Sequence, residues 1–371
     1  MTDIVSHYTY RERRMDLLQN QQKNKPAVVM ALVAALLYGI SAPVSKILLN
    51  HIPPTLMAGL LYFGAGLGMS ALHIIQNGFG KIQNEARLQK KDLPYVLGMV
   101  VLDIVAPILL LMGLGLTTSG NVSLLNNFEI VVTSLIAWAV FKEAIGKRMW
   151  LSIGLVTAGT FLLSIEDFSQ FTLSIGAMFV LGATVCWGFE NNCTRMLSLS
   201  NPLHIVIIKG FGSGMGSLSI AYFLGETSRA WTAMALALLL GFVAYGLSIF
   251  FYIYAQRDLG AARTSAFYAA APFIGVLTSW IFLKEPLHLS FVLALIFMLA
   301  GTYFGLTESH GHYHKHLEMQ HDHKHRHDDM HHDHYHEDFI EGEHSHPHRH
   351  TEVYHTHEHT PDMHHHHSHS E

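Results

Sequence analysis

Apolar residues along this chain come in long runs, separated by short polar stretches, and neither strict alternation nor the half-polar spacing of a surface helix describes them. By length the runs predict membrane-spanning helices at roughly residues 27 to 49, 54 to 76, 94 to 115, 119 to 141 and 148 to 165. Five more follow at roughly 173 to 195, 203 to 224, 232 to 256, 261 to 282 and 288 to 307. Each is near the ~20 residues a helix needs to cross hydrocarbon. A helix bonds its own backbone amides, whereas extended segments would leave them unpaired in lipid, so a β-barrel is excluded.

The second set of runs repeats the first. Phe141-Lys142-Glu143 followed by Ala158-Gly159-Thr160 recurs as Leu283-Lys284-Glu285 followed by Ala300-Gly301-Thr302, at an offset of 142. Upstream the offset is 149, pairing Tyr38-Gly39 with Trp187-Gly188, Lys46 with Arg195 and Pro53 with Pro202. Five spans per unit is an odd number, so the second unit enters the bilayer from the opposite side. The expected fold is therefore all-α: an integral membrane protein of ten transmembrane helices in two inverted five-helix repeats, the architecture of a secondary transporter. The units are residues 27–165 and 173–307, with a polar arm at 1–26 before them and a tail at 308–371 after them.

Composition agrees, since 50% of residues are hydrophobic and 14% are charged, and most charges fall outside the runs. Basic residues set the orientation. Arg11, Arg13, Arg14, Lys23 and Lys25 precede the first run, Lys81, Arg87, Lys90 and Lys91 occupy the second loop, and Lys142, Lys147, Arg148, Arg195, Arg257 and Arg263 lie in later even-numbered loops. Lys46, Arg229 and Lys284 lie on the other side. Basic loops stay in the cytoplasm, which puts both termini there in an inner or plasma membrane. The arm lacks the pattern of a cleavable signal peptide, so the first helix serves as the targeting signal.

The two cysteines, Cys186 and Cys193, are seven residues apart on the sixth run, too far for a disulfide. They read as small apolar packing groups before they read as soft metal ligands. The methionines are scattered without the clustering that gathers thioethers around Cu(I).

Trp187-Gly188-Phe189-Glu190-Asn191-Asn192, together with the paired Phe141-Lys142-Glu143 and Leu283-Lys284-Glu285 helix ends, resembles the EamA-type members of the drug/metabolite transporter superfamily over about residues 27 to 307. The resemblance implies a ten-helix transporter of inverted repeats moving small metabolites. It does not imply a substrate, because related folds carry unrelated solutes.

Ionisable residues inside the runs narrow the mechanism. Asp103, Glu129, Glu190 and Lys209 each sit where an ionised group costs at least ~2.5 to 3.5 kcal/mol unless it meets a partner or water. Asp103 and Glu129 lie near mid-depth of one hairpin, and if their faces converge they repel when ionised, which favours binding of a proton or cation. The alternative is a plain hydrogen bond to a neighbouring helix. Asn126, Glu129 and Thr133 form one polar stripe, and Trp187, Glu190 and Thr194 form another whose repeat mates are Tyr38, Ser41 and Ser45. Asn191 adjoins the second stripe. Pro43 corresponds to Asn192, and both positions weaken a regular helix, which predicts matched interruptions at a transport site or a packing kink without a ligand. Glu190 and Lys209 flank the turn at Asn201-Pro202 at similar depth and are expected to form a structural or gating ion pair, with Glu190 as a direct substrate ligand the alternative. Arg195 can compete for Glu190. His51, His73, His204 and His288 lie near helix ends and read as interfacial polar residues.

After the tenth run the composition changes, and 24 of the 29 histidines fall in residues 310–371 among Asp and Glu. His310, His312, His314 and His316, then His321, His323, His325 and His327, then His331, His332, His334 and His336 alternate with polar residues that cannot build an apolar core. The tail is expected to be disordered and cytoplasmic. Closely spaced imidazoles suit Ni²⁺, Co²⁺, Zn²⁺ and Cu²⁺, while a tail that only buffers metals or protons is the bland alternative.

The sequence thus predicts an alternating-access transporter of a small molecule or ion, moving solute outward, with Glu129 and Asp103 as candidate proton or cation sites and the tail gathering or sensing divalent metal. Metal as the cargo is one version of this reading. The alternative from another class is a non-transporting membrane metal sensor or scaffold. No nucleophile and base pair, nucleotide loop or ordered metal motif argues for an enzyme, and no cofactor is required. The lipid bilayer is the partner, nucleic acid is not, and a homodimer is compatible. Removing residues 310–371 should abolish most tight Ni²⁺ or Zn²⁺ binding while leaving the helices inserted, checked by metal titration and membrane fractionation of both forms; undiminished binding would refute the tail assignment.

Overall fold

The computed structural model describes residues 26–78, 88–141, 145–167, 172–197, 201–259, 264, 267–307 and, in the tail, 310–316, 319–325, 344–350 and 353–359. Helices α1 (Pro26–Leu48), α2 (Pro54–Gly78), α3 (Leu93–Leu116), α4 (Ser119–Leu125), α5 (Phe128–Phe141) and α6 (Lys147–Ser164) build the first unit. A short antiparallel pair, β1 (Ile165–Asp167) with β2 (Thr172–Leu173), leads into the second. That unit comprises α7 (Ile175–Met196), α8 (Pro202–Phe223), α9 (Trp231–Leu240), α10 (Ser248–Leu259), α11 (Ala271–Leu283) and α12 (Leu289–Leu306).

Among the described residues, seven helical stretches, two of them counted across a short turn, are long and apolar enough to cross a membrane: 26–48, 54–76, 90–116, 119–140, 203–223, 231–255 and 289–306. Large apolar side chains such as Leu36, Ile74, Val101, Leu239 and Ile296 point outward, whereas many of the positions that face inward carry Ala, Gly or Ser. That inversion of the soluble pattern is what a lipid solvent selects, because apolar side chains gain nothing by hiding from hydrocarbon. Exposed Trp138 and Trp150 meet edge to face, 5.8 Å apart, near one end of the bundle, and Trp231 and Trp280 are exposed near the other. Indole rings favour such interfacial depths.

Breaks in the helices fall where backbone groups are hard to satisfy. Pro107 inside α3 removes the donor that the Asp103 carbonyl would have used. A two-residue turn at Asn126-Asn127 separates α4 from α5, and the Asn127 amide donates to the Leu124 carbonyl at 3.1 Å to close the exposed end. One residue past the repeat-related place, which the offset of 142 puts at Tyr268-Ala269, the turn Ala269-Ala270 likewise leads into α11. Between α9 and α10 the chain widens into a π-helical segment, Gly241–Leu247. The matched interruptions therefore lie in the fourth and ninth spans of the expected order. The pair predicted at Pro43 and Asn192 is only half present: a turn at Ile40 precedes Pro43, but α7 runs straight through Asn191-Asn192. The reason is local, since the Asn192 amide donates back to the Gly188 carbonyl at 2.8 Å and leaves the helix intact.

The two units meet along α2 and α8. Phe63 of α2 lies over Gly214 of α8, Phe211 of α8 lies over Gly66 of α2, and the two phenyl rings are 5.4 Å apart. This reciprocal exchange of partners is the mark of a two-fold relation between the units. Backbones approach so closely that a Cβ on Gly210 would sit 2.5 Å from the Gly66 nitrogen, one on Gly64 would sit 2.1 Å from the Leu238 oxygen, and one on Gly241 would sit 1.9 Å from the Leu61 oxygen. α3 packs along α7, and α6 along α12, where the Arg148 guanidinium donates to the Thr307 carbonyl at 2.8 Å. The rings of His73 and His204 stand 5.0 Å apart where α2 ends and α8 begins.

In the tail, His310–His316 pairs antiparallel with Val353–His359, and Met319–His325 with His344–His350. The expectation of a tail without regular structure is corrected for these four segments. Two-stranded ribbons satisfy their inner backbone groups locally and need no apolar core to do so, though alone they are marginal. The arm at residues 1–25, the side chain of Arg195 and the side chains of the tail histidines lie outside the described residues.

The close backbone contacts generate a stability test. Gly64→Ala should destabilise the protein by about 1–3 kcal/mol through overpacking, whereas Gly115→Ala, where a Cβ meets nothing within 4 Å, should leave the melting temperature in detergent unchanged or slightly higher.

Candidate functional site

Four helices converge on a buried ion triad. Lys209 of α8 places its Nζ 3.1 Å from Asp103 Oδ2 on α3 and 3.0 Å from Glu190 Oε1 on α7. Asp103 is completely buried, and Glu190 nearly so, at 2% exposed. The other Asp103 oxygen accepts from the Tyr62 hydroxyl on α2 at 3.0 Å and from the Trp187 indole at 3.2 Å, and Glu190 also accepts from the Thr194 hydroxyl. Every one of these contacts is a donation into a carboxylate, so the buried acids draw their partners from α2, α7 and α8. Gly212 and Gly216 of α8 face Val100 and Ile104 of α3, which brings Lys209 within reach of Asp103. Pro107, one turn beyond, loosens α3 beside it.

Glu129 of α5 stands apart from this triad. Its Oε1 accepts from the Asn191 amide at 2.6 Å, and the same amide lies 3.3 Å from the Thr133 hydroxyl. Gly188 permits the approach, since its missing Cβ would lie 2.4 Å from Val132. Helix α7 therefore presents two polar faces, Trp187, Glu190 and Thr194 toward α3 and α8, and Asn191 toward α5. The Glu129 side chain is half-buried, and nearby Asn126 keeps a buried carbonyl oxygen with no hydrogen-bond partner among the described residues.

A row of tyrosines crosses the same region from both units. Tyr62 lies 5.5 Å from Tyr245, Tyr245 lies 5.9 Å from Tyr38, Tyr38 lies 5.9 Å from Tyr268, and Tyr268 lies 5.0 Å from Tyr252, all between ring centroids. Their hydroxyls are largely engaged within the protein: Tyr62 donates to Asp103, Tyr245 bonds Ser41, and Tyr268 lies 3.4 Å from the Ser248 hydroxyl, which donates to the Ala34 carbonyl. Tyr245 comes from the π-helical segment, a wide turn that recurs at functional sites in membrane and soluble helices.

The sequence pattern of the EamA-like transporter family matches residues 25–165 and again residues 174–307. The chain belongs to the EamA-like transporter family. The double match also places the family unit once in each half. A relative in Methanothermobacter thermautotrophicus, described as an uncharacterized transporter, is 28% identical over 291 residues, covering 74% of this chain and 84% of its own. The uncharacterized transporter YvbV of Bacillus subtilis is 25% identical over 288 residues, covering 75% of this chain and 90% of its own. A solved crystal structure described only as a protein superimposes with a TM-score of 0.54 at 15% identity, covering 75% of this chain and 95% of that one, which is a likeness of fold.

Within this EamA-like transporter the residues expected from the sequence divide into two groups. Asp103, Trp187, Glu190 and Lys209 form one network, while Asn191, Glu129 and Thr133 form the other. The Asp103 and Glu129 pairing considered from the hairpin is not what the helices make, because Asp103 instead shares Lys209 with Glu190. Tyr38 and Ser41 reach the site through Tyr245. Tyr62, Tyr245 and Tyr268 escaped sequence reasoning. A hydroxyl-bearing ring inside an apolar run was the available signal, and it is too common in membrane helices to single out three residues.

Replacing Lys209 with Met should destabilise the transporter by about 3–5 kcal/mol, since it strands two buried carboxylates. Glu190→Gln combined with Lys209→Met should lose less than the sum of the two single changes, measured by thermal unfolding in detergent; strict additivity would reject their direct interaction.

Proposed function

We propose that this EamA-like transporter carries a small solute outward by alternating access between two inverted five-helix units, ten spans in all, with both termini in the cytoplasm. Glu129 is the carboxyl that exchanges a proton or a cation during the cycle, and the Asp103–Lys209–Glu190 triad is the charged joint that the units rock about. The observation that carries the reading is the uneven distribution of counter-charge: three carboxyl groups occupy the bundle interior, one ammonium serves two of them, and Glu129 has an amide alone. A carboxylate in that setting favours whatever cation enters, a proton included.

Matched turns at Asn126-Asn127 and Ala269-Ala270 support the same reading, because broken helices in corresponding places of inverted repeats are where transporters keep their sites. A membrane anchor for a metal-binding scaffold needs neither broken helices nor buried charge. The His-rich tail favours a role in gathering divalent metal at the cytoplasmic face, and metal is itself a candidate cargo. Ni²⁺, Co²⁺, Zn²⁺ and Cu²⁺ are the ions that its spaced imidazoles suit.

Glu129→Gln keeps side-chain volume and removes the ionisable group. In proteoliposomes it should lower flux by at least about tenfold, equivalent to ~1.4 kcal/mol in barrier, and flatten the dependence of flux on pH, with unchanged membrane insertion. Equal flux by wild type and variant across pH would sink the coupling role. A panel of divalent metals and amino-acid-like metabolites, run on full-length and tail-less protein, separates metal cargo from a metal-gathering tail.

A further inference from the structure

At the end of the bundle remote from Arg148 and Thr307, the turn joining α3 to α4 is held from both sides by opposite charges. The Lys46 ammonium of α1 donates to the Leu114 and Thr117 carbonyls, the latter at 2.7 Å, where α3 ends. Glu285, in the loop after α11, accepts from the Ser119 amide at 2.8 Å and the Gly120 amide at 2.9 Å, where α4 begins. The Ser119 hydroxyl is shared between Glu285 at 2.9 Å and Ser279 of α11 at 2.8 Å. A cation on a helix C-terminus and an anion on an N-terminus each match the helix dipole. Lys46 belongs to the same unit as the turn; Glu285 belongs to the other.

The chain is bent to make this contact. Lys284, which ends α11, is left-handed at φ 53°, and among the described residues no other non-glycine residue has a positive φ. That conformation is uncommon outside glycine, and here it stops the helix and turns the next side chain back across the unit boundary. A second contact of the same kind lies close by in the chain order of the end: Glu226, in the loop after α8, accepts from the Leu56 amide at the start of α2 at 2.8 Å, and the Ser228 hydroxyl donates to the His51 carbonyl at 2.8 Å. Two carboxylates of the second unit thus hold two helix starts of the first. Behind them Ser123 of α4, 4% exposed, fills the space left by Gly275 of α11, where a Cβ would come within 2.4 Å of its hydroxyl.

We propose that Glu285 is the latch of a gate at this end of the transporter, that the structure is the state closed there, and that the cycle requires the carboxylate to leave the Ser119 and Gly120 amides so that α4 and α11 part. The proposal rests on the alternating-access reading and adds the contact that sets which side is shut. Contacts of this type suit a latch because they are charge-assisted and directional, yet they lie at helix ends, where water replaces the carboxylate as soon as the units separate. An apolar seam of equal extent would have to expose hydrocarbon surface to open.

The test uses the full chain in right-side-out vesicles, with Cys186 and Cys193 changed to Ala and Ser123→Cys as reporter. A membrane-impermeant maleimide is applied from the Glu285 side. With Glu285 intact the reporter should label slowly. Glu285→Gln should raise the labelling rate about tenfold, and Glu285→Asp, too short to span both amides but still charged, should raise it less. Gel filtration and a thermal melt establish that each variant is folded, so that faster labelling reports opening. Labelling rates unchanged by both substitutions, in folded protein with wild-type flux, would overturn the latch while leaving transport standing. Faster labelling in a protein that moves no solute would support the latch and count against the transport reading instead.

Discussion

Hydrocarbon offers no hydrogen bonds, and that single constraint organises this molecule from its helices to its charges. Inside such a solvent each backbone amide must be paired by its own helix, and each polar side chain by a neighbouring one. The places where the chain departs from regular helix are accordingly places where another group has moved in: the Asn127 amide at the break after α4, and Lys46 and Glu285 at the ends of α3 and α4.

The same constraint explains why glycine does the work of assembly. Without a hydrophobic force between helices, close approach is the means of holding them together, and the reciprocal seating of Phe63 on Gly214 and Phe211 on Gly66 gives the two units a shared axis. That axis runs beside Lys209. The ammonium draws Asp103 from one unit and Glu190 from its own, so the joint between halves is both the tightest backbone packing and the most concentrated charge. A buried ion pair of this sort contributes little net stability compared with apolar packing, but it penalises any arrangement that separates its members.

Glu129 stands outside that network. Asn191 supplies one amide, and the tyrosine row from Tyr62 to Tyr252 supplies aromatic surface drawn from both units. The interior is consequently divided between two carboxylates that share one ammonium and a third that accepts from an amide, while Lys46 and Glu285 hold helix ends at one end of the bundle.

Sequence alone carries the helical class, the approximate limits of seven of the ten expected spans and the duplication, because run length and the paired Lys-Glu and Ala-Gly-Thr motifs are one-dimensional signals. It also supplied the buried ionisable residues, since Asp103, Glu129, Glu190 and Lys209 stand out against apolar neighbours, and the hairpin argument brought Glu190 to Lys209. Tertiary structure decided the rest. Which carboxylate Lys209 would share depended on how α3 lies against α8, a matter of glycine placement on two distant helices. Asn192 was expected to break its helix, and a bond to its own backbone carbonyl kept that helix whole. Tyr245 and Tyr268 joined the site through the π-helical segment and the turn before α11, features without a local signature. Glu285 was visible as a repeated motif, but its partner amides lie some 166 positions away in the chain, and only the folding of one unit against the other brings them together.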